Sequence, residues 1–151
     1  MTYSGSATSN KGTGLGKDFN VVPLATGKHV SMKNCAAITF VCYEDGGAQA
    51  IAFKESIDGA SEQVLPVFTE FYAGDGVGSV WTKEAQAADD AWGKADTTPF
   101  DCAVITVRKE QLSPGFNAVE CTIDGAGICF AILHDLEVQR APQNLPTAVA
   151  A

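Results

Sequence analysis

AVECTIDGAGICFAILHDLEVQR, residues 118–140, holds two strand-like runs either side of a short glycine-rich turn. In the second run Ile128, Phe130, Ile132, Leu136 and Val138 recur at every second position, and only His134 interrupts them. Asp135, Glu137 and Gln139 alternate with them near the end of the run. Successive strand residues point to opposite faces, so one face is apolar and is predicted to be the buried one, with the other wet. If Asp124–Gly127 is an even-length loop, Ile123 faces Ile128 and Thr122 faces Cys129. Cys121 and Cys129 then lie on opposite faces, too far apart to bridge; a three-residue loop reverses this.

Working outward, the same alternation recurs. Phe19–Leu24 is a first short strand, with Pro23 suited to an edge or a strand end. Ala36–Tyr43 follows, with Ile38, Phe40 and Cys42 on one face. Glu44-Asp45-Gly46-Gly47 is a turn, and residues 49–57 return with Ile51 and Phe53 on the core side, predicting a first hairpin. Asp58–Glu62 reads as a polar loop. VLPVFTEFYA (Val64–Ala73) is a long strand kinked or edge-placed at Pro66, and Ser79–Lys83 pairs back with Trp81. Residues 85–95 are rich in helix formers diluted by Asp and Gly, so one helical turn is the most expected there. Asp101–Arg108 is a strand, with Ile105 and Val107 alternating against Val104, and Lys109–Gly115 is one turn closed by Pro and Gly. Seven or eight short strands without a long helix predict one all-β antiparallel domain, a sandwich or closed barrel, over residues 19–140. Before it lies a Gly/Ser/Thr-rich arm (1–18) that is either disordered or ordered by draping over a neighbour. After it comes an extended Pro-containing tail (141–151).

The composition narrows the functions. Ten Lys and Arg against eighteen Asp and Glu give a net charge of −8, with the basic residues scattered. Nucleic-acid binding needs them clustered, so no nucleic-acid partner is expected. No apolar run reaches the 18 or so residues of a membrane helix, and the polar first residues lack the apolar core of a secretory signal. Five cysteines, an odd count with no CxxC, indicate neither a disulfide framework nor zinc, and read as reduced buried thiols.

No catalytic constellation emerges. His134 and Asp135 are strand neighbours pointing to opposite faces, so they are not expected to pair. His29 reads as a loop residue without a second histidine nearby. Gly12-Thr13-Gly14-Leu15-Gly16-Lys17 matches no phosphate-loop spacing. Asp89-Asp90 and Glu44-Asp45 read as solvated pairs. Trp81 and Trp92 could stack on a sugar, although core or interface packing explains an aromatic as well. No catalytic residue, cofactor or metal is expected. Phe68, Phe71 and Tyr72, clustered with Pro66, fit either the core or a sticky strand for a partner.

VLPVFTEFY (Val64–Tyr72), Trp81-Thr82, the polar Ala-rich stretch Gln86–Asp89, VITVRKEQLSPGF (Val104–Phe116) and ILHDLEVQRAPQNLP (Ile132–Pro146) together carry a resemblance. Over residues 35–146 the chain is similar to the minor capsid and head decoration proteins of tailed bacteriophages. The resemblance implies a non-enzymatic shell protein, made in the host cytoplasm and carried on the virion, that binds the outer face of major capsid protein subunits, with other copies of itself on the same shell. It makes the two ends candidate grips through Lys11, Leu15, Lys17 and Phe19 before the domain and Pro142, Leu145 and Pro146 after it, with Phe68, Phe71 and Tyr72 as further contacts. A tail-tube or head–tail connector protein and a carbohydrate-binding module are the alternatives.

Overall fold

The computed structural model describes residues 14–25, 27–43, 51–74, 80–91, 102–123, 127–145 and 149–150. Eleven strands run in the order β1 (Phe19–Pro23), β2 (Lys28–Ser31), β3 (Cys35–Tyr43), β4 (Ile51–Ile57), β5 (Ala60–Val64), β6 (Phe68–Gly74), β7 (Thr82–Asp89), β8 (Cys102–Arg108), β9 (Ala118–Ile123), β10 (Ile128–Leu136) and β11 (Val149–Ala150). They form two antiparallel sheets packed face to face. One has the order β1-β10-β3-β8-β6-β7; the other is a four-stranded β2-β9-β4-β5 unit extended by β11. The predicted sandwich is therefore the fold. Its only helical pieces among the described residues are two 3-10 turns, Lys109–Gln111 and Pro142–Asn144.

Several local readings change. The two runs of the 118–140 stretch do not pair: β9 bonds β4 and β2 while β10 bonds β1 and β3, in the opposite sheet. Their connection thus crosses from one sheet to the other, an arch in topology. The predicted hairpin of β3 and β4 is such a crossing too, since β3 pairs β10 and β8, and β4 pairs β9 and β5. Within 58–62, read as a loop, Asp58-Gly59 turns with positive φ and β5 follows. At Pro66 the chain leaves β5 in one sheet and starts β6 in the other. The helical turn expected from 85 onward is the second half of β7, an exposed edge strand whose pairing with β6 overrides the alanines' preference. The tail is not simply extended. It makes the Pro142–Asn144 turn, and β11 pairs with β2.

The core between the sheets contains Ile38, Phe40, Phe53, Phe68, Phe71, Ile105 and Val107, all buried. Phe53 stacks against Phe40 at 5.3 Å and Phe68 at 4.3 Å between ring centroids. Phe68 and Phe71 are three apart, which strict alternation would split between faces. A register shift between Phe68 and Glu70 in the β6–β7 ladder turns both inward.

The largest correction concerns β10. Its buried residues are Cys129, Ala131 and Leu133, whereas Ile128 is 56% exposed and Phe130 and Ile132 are half-buried. The apolar face predicted to be the core face points away from the opposing sheet.

Candidate functional site

The outward face of the six-stranded sheet is apolar in its central rows from β1 to β6, bordered on one side by the polar group of Thr39, Thr106 and His134. Register places Pro23, Phe130, Val41, Val104 and Tyr72 in one row over five adjacent strands. Ile128 and Tyr43 lie opposite each other in the next row, and Val21 and Ile132 in the row on the other side. Val21, Tyr43, Tyr72 and Ile128 are each at least 40% exposed. Trp81, 55% exposed, lies over Gly74, where an added Cβ would stand 3.4 Å from its ring. Large apolar side chains lying together on a solvent-facing sheet surface are the usual mark of a partner site. Toward β7 the surface turns polar, with Lys83 paired to Glu70 at 2.9 Å.

The described ends of the chain meet at the β1 edge of this sheet. Leu15 bridges Phe19, and the Arg140 N–H donates to the Gly16 carbonyl at 2.8 Å. Gly16 has φ +81, and a Cβ there would sit 2.1 Å from the Arg140 carbonyl oxygen, so only glycine permits the approach. Leu145 reaches the same junction and, with Leu133, Leu136 and Val138, lines a cavity of about 60 Å³.

Of the contact candidates, Leu15, Phe19 and Leu145 are half-buried at this junction, while Lys17 and Pro142 are exposed. Tyr72 is on the apolar face, but Phe68 and Phe71 are core residues, which corrects the reading that offered them to a partner. Lys11, Pro146 and Trp92 lie outside the described residues.

The other sheet's outward face is polar and internally bonded. His29, read as a loop residue, is in β2 and fully buried. Its Nδ1 is 2.9 Å from Ser56 Oγ and its Nε2 is 2.8 Å from Glu62 Oε2. Ser56 is 0% exposed, and its Oγ also accepts the Gly59 N–H. His29 and Ser56 are thus a buried hydrogen-bonded pair whose outer partner, Glu62, reaches the surface. Glu120 accepts the Gly27 N–H, and Lys54 bonds Glu62 at 3.3 Å. The hydrogen bond from His29, then that from Lys54, holds the Glu62 carboxyl below the usual range.

His134 and Asp135 do approach one another, Nδ1 to Oδ2 at 3.4 Å, against expectation. Asp135 takes φ +53, which breaks the alternation that would have separated them. His134 Nε2 meets Thr39 Oγ1 at 2.8 Å, and that hydroxyl also meets Thr106 Oγ1 at 2.9 Å. The half-buried histidine thus has a partner on each ring nitrogen, as a structural residue does.

Cysteines 42, 121 and 129, which the sequence left apart, come together between the sheets. The sulfurs are 3.1 Å apart for 42–129, 3.6 Å for 121–129 and 3.8 Å for 42–121. Cys42 and Cys129 are register partners on adjacent strands, and the β9–β10 arch delivers Cys121 from the facing sheet. All five cysteines are free thiols.

No family model, curated protein or solved structure matches this chain.

Proposed function

We propose that the protein is a structural virion component that decorates and stabilises a bacteriophage capsid by binding the outer face of major capsid protein subunits. The observation that carries the reading is the apolar outward face of the six-stranded sheet, which puts tyrosines and branched aliphatics where a partner can cover them. The similarity of residues 35–146 to head decoration proteins supplies the identity of the partner. The junction of Gly16 with Arg140 and Leu145 ties the end of the 1–18 arm to the β1 edge of that sheet, so one capsid contact can engage both. Since β11 pairs within its own domain, the grip is assigned to the arm and the sheet face rather than to the end of the tail. The excess of carboxylates keeps a densely decorated particle soluble.

The test is co-sedimentation of the purified chain with capsid shells of a phage whose genome carries it. Saturable binding is expected, and removal of residues 1–13 should weaken it while leaving the β spectrum intact. Absence of binding to the shell removes the reading. Assembly of the purified protein into rings would favour a tail-tube or connector role instead.

A further inference from the structure

We propose that Cys42, Cys121 and Cys129 form a buried trithiolate site that binds one zinc(II) ion between the two sheets. Zinc–sulfur bonds are about 2.3 Å, so thiolates around one tetrahedral ion stand roughly 3.8 Å apart. The 42–121 and 121–129 separations, 3.8 and 3.6 Å, are already at that spacing. The 3.1 Å pair is closer and has to open by about 0.7 Å to reach it.

The contrast with Cys35 separates this cluster from ordinary core thiols. Cys35 is buried, and chiefly that burial pushes its thiol up to about 11, as for a small apolar residue. Cys42, Cys121 and Cys129 instead stand within ligand reach of one another, a set that Cys35 does not join among the described residues. Three buried sulfurs so placed are a ligand set that a cation completes by displacing their protons.

A cavity of about 310 Å³, bounded among the described residues by Leu24, Ala25, Thr122, Ile123 and Gly127, reaches Cys121 and Cys129. It leaves a fourth coordination position that water can take, which makes this an open rather than a closed centre. Charge selects the ion. Three thiolates with a divalent metal leave one net negative charge to bury, whereas copper(I), the other thiolate-seeking ion, leaves two.

The experiment uses the full chain purified in reductant and stripped of metal, titrated with zinc(II) against a chromophoric chelator and, separately, with cobalt(II). One zinc per chain and a near-ultraviolet thiolate-to-cobalt charge-transfer band are expected. Cys121→Ser and Cys129→Ser should weaken binding by more than about 100-fold, since loss of mere outer partners already reaches that range. Cys35→Ser should leave binding unchanged. The cobalt band on the unaltered chain holds even where a variant fails to fold. Failure of the reduced chain to bind zinc overturns the proposal, as does equal weakening by Cys35→Ser or a Cys42–Cys129 disulfide that persists in reductant and excludes the ion.

Discussion

The outward faces of the two sheets deal with solvent in opposite ways. On β2-β9-β4-β5, the polar groups His29, Ser56, Glu62 and Glu120 are bonded to one another and to backbone, three of them almost wholly buried. On β1-β10-β3-β8-β6, the corresponding positions are Val21, Phe130, Val41, Val104 and Tyr72, apolar but for the Tyr72 hydroxyl, which stay partly exposed. The first face is complete within the chain. The second pays a hydrophobic cost in isolation that a partner would remove. The one face is held by its own bonds and the other is the proposed binding face, and each can be disturbed separately.

The largest effect should come from a change that cannot respect the distinction. Phe53→Ala empties the contact of Phe53 with Phe40 and Phe68 between the sheets, and should cost about 3–5 kcal/mol in denaturant unfolding, lowering both faces together. On the polar face alone, Ser56→Ala strands His29 Nδ1 and the Gly59 N–H in a water-free site. It should cost about 1–3 kcal/mol and leave capsid binding of the folded fraction unchanged. Gly16→Ala, at the junction of the two ends, forces a left-handed φ on alanine and a clash with the Arg140 carbonyl. About 1–3 kcal/mol is expected here too, read as local loss of hydrogen-exchange protection at Arg140.

The smallest effect is on pH dependence. The folded pKa of Glu62 lies below its ordinary value of 4.5, so its contribution to stability is present above that value and is lost as the pH falls through the lower folded value. Acid titration of unfolding should therefore show a shallower loss below pH 4.5 for Glu62→Gln than for the parent chain.

The sandwich was legible because alternation marked most of its strands. Ile51 and Phe53 point inward as read, and Ile38 with Phe40 and Ile105 with Val107 share a face as read, which proves to be the inward one. Alternation failed at β10 because both faces are apolar there. Period two marks Ile128, Phe130 and Ile132 as a set, but the smaller Cys129, Ala131 and Leu133 fit between the sheets. Arches were illegible for a related reason, since Gly-rich turn chemistry is the same whether the next strand pairs in the same sheet or crosses to the other. β2, β5 and β11, unread as strands, are short and carry few apolar residues, so only their ladders reveal them. The thiol cluster depends on the β9–β10 arch, and no spacing among Cys42, Cys121 and Cys129 announces it. The partners of His134 and His29 were likewise illegible, because one positive φ and one unrecognised strand decide them.

The most direct measurement is capsid-shell occupancy of Tyr72→Glu/Ile128→Glu, two exposed positions on the apolar face, beside Lys54→Ala on the polar one. Surface changes of this kind alter stability by about 0.5 kcal/mol or less, so occupancy reports the interface. The double variant is expected to lose binding about 30-fold or more, as for removal of a central contact, with Lys54→Ala indistinguishable from the parent. Unchanged occupancy of the double variant would contradict the assignment of that face to the capsid.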